Sequence, residues 1–105
     1  MITNEITEAV KAIADEIHPE AVFLFGDYAK DTENENSRVS LFVVLPNSVA
    51  DVSDEIRKAD KAVWDLPCRN IDILAGRVSD FNARSKTEPL ERTVMKEGKP
   101  IYVKQ

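Results

Sequence analysis

No apolar run in this chain is longer than five residues, and the two that reach that length, Ala21–Phe25 and Leu41–Leu45, are closed by Gly26 and Pro46. They are too short for core helices and too rich in aromatic and β-branched residues for loops, so they read as buried strands, the second of them running from Arg38 to Leu45. The segment from Asn70 to Ala75, stopped by Gly76, reads as a third strand. Around these runs the periodicity is helical. Ile6, Ala9, Val10, Ile13, Ala14 and Ile17 recur at i, i+3, i+4 and i+7, with Thr3 or Asn4 placed to cap the first turn and Pro19 to stop the helix after His18. Val52, Ile56, Ala59, Val63 and Leu66 form a second stripe, with Ser48 as cap, Asp51 three residues later and Pro67 as its end.

A short helical stretch is expected around Val78 to Ala83. A last helix is expected from about Pro89 to Lys96, terminated by Gly98, and Pro100–Val103 fits either a final strand or an extended tail. The predicted order is α-β-turn-β-α-β-α-α with an optional last β. That is an α/β (α+β) fold, a mixed β-sheet backed by helices. About a dozen residues join the first two strands, a length that permits a wide antiparallel connection or a tight crossover.

The 105 residues amount to one domain, residues 1–105, large enough for a core without disulfide or metal staples. Apolar residues at 43% and charged residues at 31% are the balance of a soluble globular chain. No run approaches the roughly 18 residues of a membrane span, and no basic segment followed by an apolar one opens the chain, so a cytoplasmic location is expected. Cys68 and His18 are each the single residue of their type, which excludes an internal disulfide and a Cys/His metal cluster. A net charge of −5 argues against a DNA- or RNA-binding domain, because phosphate-backbone affinity comes from many Lys and Arg contacts. It leaves room for a single nucleotide.

The stretch with chemical content is Phe23-Leu24-Phe25-Gly26-Asp27-Tyr28-Ala29-Lys30, followed by Ser37-Arg38-Val39-Ser40 and the run Leu41–Val44. A strand running into glycine lets backbone approach a ligand, and a helical turn after it directs N–H groups there. On the second strand, alternation puts residues 38, 40, 42 and 44 on one face and 39, 41, 43 and 45 on the other.

This pattern resembles the nucleotidyltransferase superfamily, specifically the minimal nucleotidyltransferase domains that accompany HEPN-type partners in toxin–antitoxin pairs. Their signature is Gly-Ser, about ten residues, then Asp-x-Asp, with a third carboxylate on a later strand. Gly26 and Asp27 fall on the Gly-Ser pair, Arg38 and Ser40 on Asp-x-Asp, and Asp72 on the third carboxylate. Leu90 through Tyr102 looks like the family's closing helix and tail. The resemblance implies a nucleotidyltransferase-like fold over nearly the whole chain.

It also implies an altered site. In the family the paired aspartates hold Mg²⁺ ions against a triphosphate, and the third carboxylate helps activate the attacking hydroxyl. A guanidinium offers magnesium no ligand. Asp27, when ionised, repels the phosphate a serine would bind, and Asp31 stands where these loops carry glycine. The expectation is a catalytically inactive pseudoenzyme that needs no cofactor and works as the antitoxin-like partner of a HEPN protein. Its binding surface is placed on the last helix and tail. Two alternatives accompany it. One is active, Mg²⁺- and ATP-dependent transfer of a nucleoside monophosphate to a protein hydroxyl, with Asp72 as base or ligand and Asp27 or Asp31 replacing the missing pair; the other is a metal-free nucleotide or anion sensor using Arg38.

Arg38 is expected to pair with Asp27 or Asp72, filling the former metal position with a fixed cation. His18 is read as a helix-end residue, and Trp64 and Cys68 as core or near-core residues. Asp31, Glu33 and Glu35 lie in a polar loop poorly suited to fixing octahedral geometry.

Overall fold

The computed structural model describes residues 2–68 and 70–104. Helix α1 spans Asn4–Ile17, and its first turn is capped by Thr3, whose hydroxyl accepts the Ile6 N–H at 3.2 Å. It ends where His18 turns left-handed (φ 49°) and donates its backbone N–H to the Ala14 carbonyl. Strand β1 (Ala21–Phe25), the single turn α2 (Asp27–Lys30) and strand β2 (Val39–Leu45) follow. After them come α3 (Val52–Val63), β3 (Ile71–Arg77), α4 (Val78–Arg84), α5 (Pro89–Glu97) and β4 (Lys99–Val103).

The strands form one mixed sheet in the order β3-β2-β1-β4. β1 is antiparallel to both its neighbours, so the dozen-residue connection from β1 is the wide antiparallel kind, with α2 inside it. β2 and β3 are parallel and are joined through α3, as a parallel pair requires a crossover. The closing segment is a strand: β4 adds to the free edge of β1, and Pro100, which cannot donate to a ladder, sits on that edge strand.

β2 is the centre. Val39, Leu41, Val43 and Leu45 face α1 and α3 and join Ile6, Ile13, Val22 and Leu24 in the larger core. Phe42 and Val44 face the opposite way, against Phe81 of α4 and Val94 of α5. The Phe42 and Phe81 rings lie 5.0 Å apart, and Phe23 stacks on Phe81 at 5.7 Å.

Three expectations are corrected. The cap of α3 is Asp51, not Ser48: its carboxylate accepts the Asp54 N–H at 3.1 Å and it directly precedes the first apolar residue of the stripe. β3 does not stop at Gly76 but continues to Arg77, because β2 supplies a ladder partner as far as Leu45 and Arg77 is tied to the carbonyls of Val49 (2.8 Å) and Ala50 (3.0 Å). Trp64 is not near the core. It lies one residue past Val63, rotated about 100° from the buried stripe, and is 78% exposed. Cys68 is buried as expected.

Two measurements probe this core. Leu41→Ala removes a fully buried side chain and should lower unfolding free energy by roughly 3 kcal/mol, read from the urea midpoint at unchanged slope. Burial, with a smaller contribution from Glu5, pushes the Cys68 thiol above its ordinary range. The unfolded thiol therefore ionises first, so the stabilising difference is complete at neutral pH and declines as pH rises through the usual thiol range. Thiol-reagent labelling should accordingly be slow in the native protein and fast in urea at the same pH.

Candidate functional site

The candidate site positions converge at one end of the sheet. In the parallel ladder Ser40 stands directly opposite Asp72, and in the antiparallel ladder it stands opposite Phe25, the residue before Gly26. Residues 38, 40 and 72 share the sheet face that carries Phe42, away from α1 and α3. Asn70 takes a left-handed conformation (φ 56°) and its carbonyl accepts the Val39 N–H at 2.8 Å, which fixes the start of β3 beside the start of β2. Asparagine tolerates that conformation better than most residues.

Gly26 adopts φ 77° and ψ −155°, a region closed to residues with a Cβ. A Cβ there would lie 3.5 Å from the Ser40 hydroxyl oxygen, so the requirement for glycine is conformational and not one of space. The turn brings the Gly26 backbone against Ser40 and starts α2. Asp31 closes α2 in a left-handed conformation (φ 59°), so the chain accepts an aspartate where the resemblance expects glycine.

Arg38 reaches diagonally across the ladder to Asp72. Its Nε donates to Oδ2 at 2.6 Å and its Nη2 to Oδ1 at 2.7 Å, a bidentate fork in which both carboxylate oxygens are engaged. Of the two partners expected for Arg38, Asp72 is the one it meets. The hydrogen bond first, and the charge of Asp72 second, hold the guanidinium above its already high ordinary pKa. Both side chains remain about half exposed, at 54% and 48%, so the fork acts through occupancy and local charge, with little contribution to folding.

Asp27 is engaged elsewhere. Its Oδ2 accepts the Ser37 hydroxyl at 2.9 Å and its Oδ1 the Thr32 hydroxyl at 3.3 Å. Ser37, itself buried, accepts the Asn34 N–H at 2.9 Å. A carboxylate at this position therefore staples the loop between α2 and β2. Sequence reasoning missed this use of Ser37; its signal was a small hydroxyl residue at the foot of a strand, facing an acidic helix start.

Magnesium requires several hard oxygen donors with free lone pairs. Asp72 has both oxygens committed to a guanidinium, the paired positions offer a guanidinium and an alcohol, and Asp27 faces into its own loop. Among the described residues no cluster of three or more His, Cys, Asp or Glu is arranged to hold a metal, which covers Asp31, Glu33 and Glu35 as well. These residues do not fit the two-metal chemistry that the resemblance implies. Among the described residues, no helix is long and apolar enough to cross a membrane.

No protein-family model matches the sequence, and no curated protein matches it. Solved structures do. The chain is similar to a toxin–antitoxin protein crystallised with AMP-PNP, at 22% identity and a TM-score of 0.63 over 98% of this chain and 76% of that one. A mutant of the toxin–antitoxin MntA-HpeT gives the same values. A protein from Sulfolobus solfataricus assigned to the nucleotidyltransferases superposes at a TM-score of 0.64 and 16% identity, covering 95% of this chain and 78% of that one. At these identities the likeness is one of fold, and the mixed four-stranded sheet with its helices is nucleotidyltransferase-like.

The fork has a spectroscopic consequence. The Arg38 Nε–H should give a resolved, slowly exchanging ¹H–¹⁵N signal displaced from that of free arginine. Asp72→Asn should return it to the free position while the thermal midpoint stays nearly unchanged. An unshifted signal in the wild type would mean the fork is absent in solution.

Proposed function

We propose that this nucleotidyltransferase-like fold serves as a protein-binding module without metal-dependent transfer chemistry, the antitoxin-like partner of a helical HEPN-type protein in the cytoplasm. The observation that carries the reading is the fork from Arg38 to both oxygens of Asp72. It places a fixed positive charge where the chemistry would need a carboxylate pair gathering cations, and it consumes the remaining carboxylate. Two-metal catalysis depends on positioning and neutralising the triphosphate, so loss of the donor set removes most of its transition-state stabilisation. The module therefore works with neither Mg²⁺ nor ATP as a cofactor.

The partner reading is supported by the toxin–antitoxin proteins among the structural neighbours. The binding surface we assign is α5 with β4. Leu90, Met95 and Val103 are exposed there, large apolar side chains of the kind an interface covers.

Isothermal titration with ATP, with and without Mg²⁺, tests the chemistry. The expected result is no magnesium-dependent heat, whereas micromolar, magnesium-dependent binding would overturn the reading. Heat that survives EDTA and disappears in Arg38→Ala would instead mark a metal-free anion site. Combining Asp27→Ser, Asp31→Gly, Arg38→Asp and Ser40→Asp should create magnesium-dependent ATP binding on the same scaffold. Co-expression with a neighbouring HEPN-type protein should give a complex that co-elutes on size exclusion and is weakened by Met95→Asp; separate elution would remove the partner assignment.

A further inference from the structure

On the α4/α5 side of the sheet, at the opposite end of β3 from Asp72, lies a solvent-open cavity of about 460 Å³. Its apolar walls are Phe42, Val52, Ala75 and Phe81, and Gly76 contributes bare backbone. Glu91, in the first turn of α5, also lines it. The Glu91 side chain is only 8% exposed. Its Oε2 accepts the Arg84 Nε at 2.8 Å, while Oε1, shielded from solvent, has no hydrogen-bond partner among the described residues. A buried acceptor without a donor costs about 1–3 kcal/mol, and more when charged.

Of the other charged groups around the cavity, the two arginines are occupied, and Asp80 is an exposed carboxylate 3.9 Å from Arg77. Arg77 spends its Nε and Nη2 on the carbonyls of Val49 and Ala50. Arg84 is divided between Glu91 and Glu88, the latter 3.8 Å away. The atom without a partner beside the cavity is an acceptor, covered from solvent, so a ligand complementary to it brings donors. The lining itself is balanced in charge, Asp80 and Glu91 against Arg77 and Arg84, and Glu88 beside Arg84 adds a further carboxylate outside it.

Gly76 supplies an independent observation. It lies inside β3, paired with Val44, where glycine weakens a strand unless something approaches its backbone. A Cβ at Gly76 would meet the Phe42 ring edge at 3.4 Å, the rim of ordinary contact, so the bare backbone is not forced by packing.

We propose that this cavity binds a protonated alkylamine, with the methylenes against Phe42 and Phe81 and the ammonium donating to Glu91 Oε1. Arg84 moves aside to admit it. Arg84 keeps a carboxylate partner when it moves, because Glu88, one helical turn away, already lies 3.8 Å from it. The same chemistry arrives as a free amine or as a lysine side chain of a bound protein.

The test is a ¹⁵N-resolved NMR titration of the full chain at constant ionic strength with n-butylammonium, Nα-acetyl-lysine N-methylamide and, as the uncharged control, n-butanol. Both ammonium probes should produce saturable shifts at Gly76, Phe81 and Glu91, and butanol should not. Tighter binding of the blocked lysine would identify a protein side chain as the source, and tighter binding of butylammonium a free amine. Glu91→Gln should weaken the ammonium response by about tenfold or more, the value of a lost charge-assisted contact. Gly76→Ala, which fills the floor without altering any charge, should weaken it as well. The proposal fails if the shifts do not saturate, if butanol reproduces them, or if both variants, shown folded by their spectra, respond as the wild type does.

Discussion

Everything in this molecule is hung on β2. Five of its seven residues, Leu41 to Leu45, are buried in unbroken succession, so the strand is enclosed on both faces. That burial fixes the register to both neighbours, since a slip of one residue would exchange the set facing α1 and α3 with the set facing Phe81 and Val94. Register in turn decides which residues meet at the strand's polar beginning. Ser40 opposes Asp72 on one side and Phe25 on the other because the apolar residues further along leave no choice. The chemistry of the site is thus positioned by hydrophobic burial two residues away from it.

Given that placement, the charge pattern determines what the site can do. A carboxylate cluster at this place would repel itself and gather cations. With Arg38 in the first position, the attraction is satisfied inside the protein, through a fork whose planar geometry matches a carboxylate. Asp27 avoids repulsion by turning to the hydroxyls of Ser37 and Thr32. Asp27 and Asp72 thus each take their hydrogen bonds from donors of this chain.

Much of this was legible in the sequence because it follows from local periodicity. Alternation in Arg38–Leu45 placed 38 and 40 together, and the helical stripe of α1 predicted its buried residues one by one. What was not legible depended on contacts between distant elements. Strand β3 passes through Gly76 only because β2 offers it a partner, and the direction of the second strand rested on a connection whose length suits either outcome. The choice of Asp72 over Asp27 as the partner of Arg38 required knowing that Ser37 would claim Asp27. Trp64 misled because a tryptophan beside a buried stripe usually joins it, whereas here it continues the helical turn about 100° round from Val63 and projects outward. The Glu91 cavity carried no sequence signal at all: its parts come from β2, β3, α3, α4 and α5.

Scaffold and site are energetically separable here. The fork is half exposed on both partners, so solvent competes for it and its loss leaves the packing of β2 intact. A sheet held by Leu41, Val43 and Phe42 does not register whether residue 38 is basic or acidic, provided that the side chain projects to solvent at the strand's start. The same independence lets a nucleotidyltransferase-like fold carry different residues at the starts of β2 and β3: the buried residues that build the fold and the exposed ones at positions 38 and 72 share strands or their ends but not interactions. Glu91 is the contrary case. It is buried with one oxygen unpartnered, one turn before Val94, which packs α5 against β2. A change there is felt by the core, which is why an isosteric amide and a distant glycine separate binding from folding more cleanly than truncation of the glutamate.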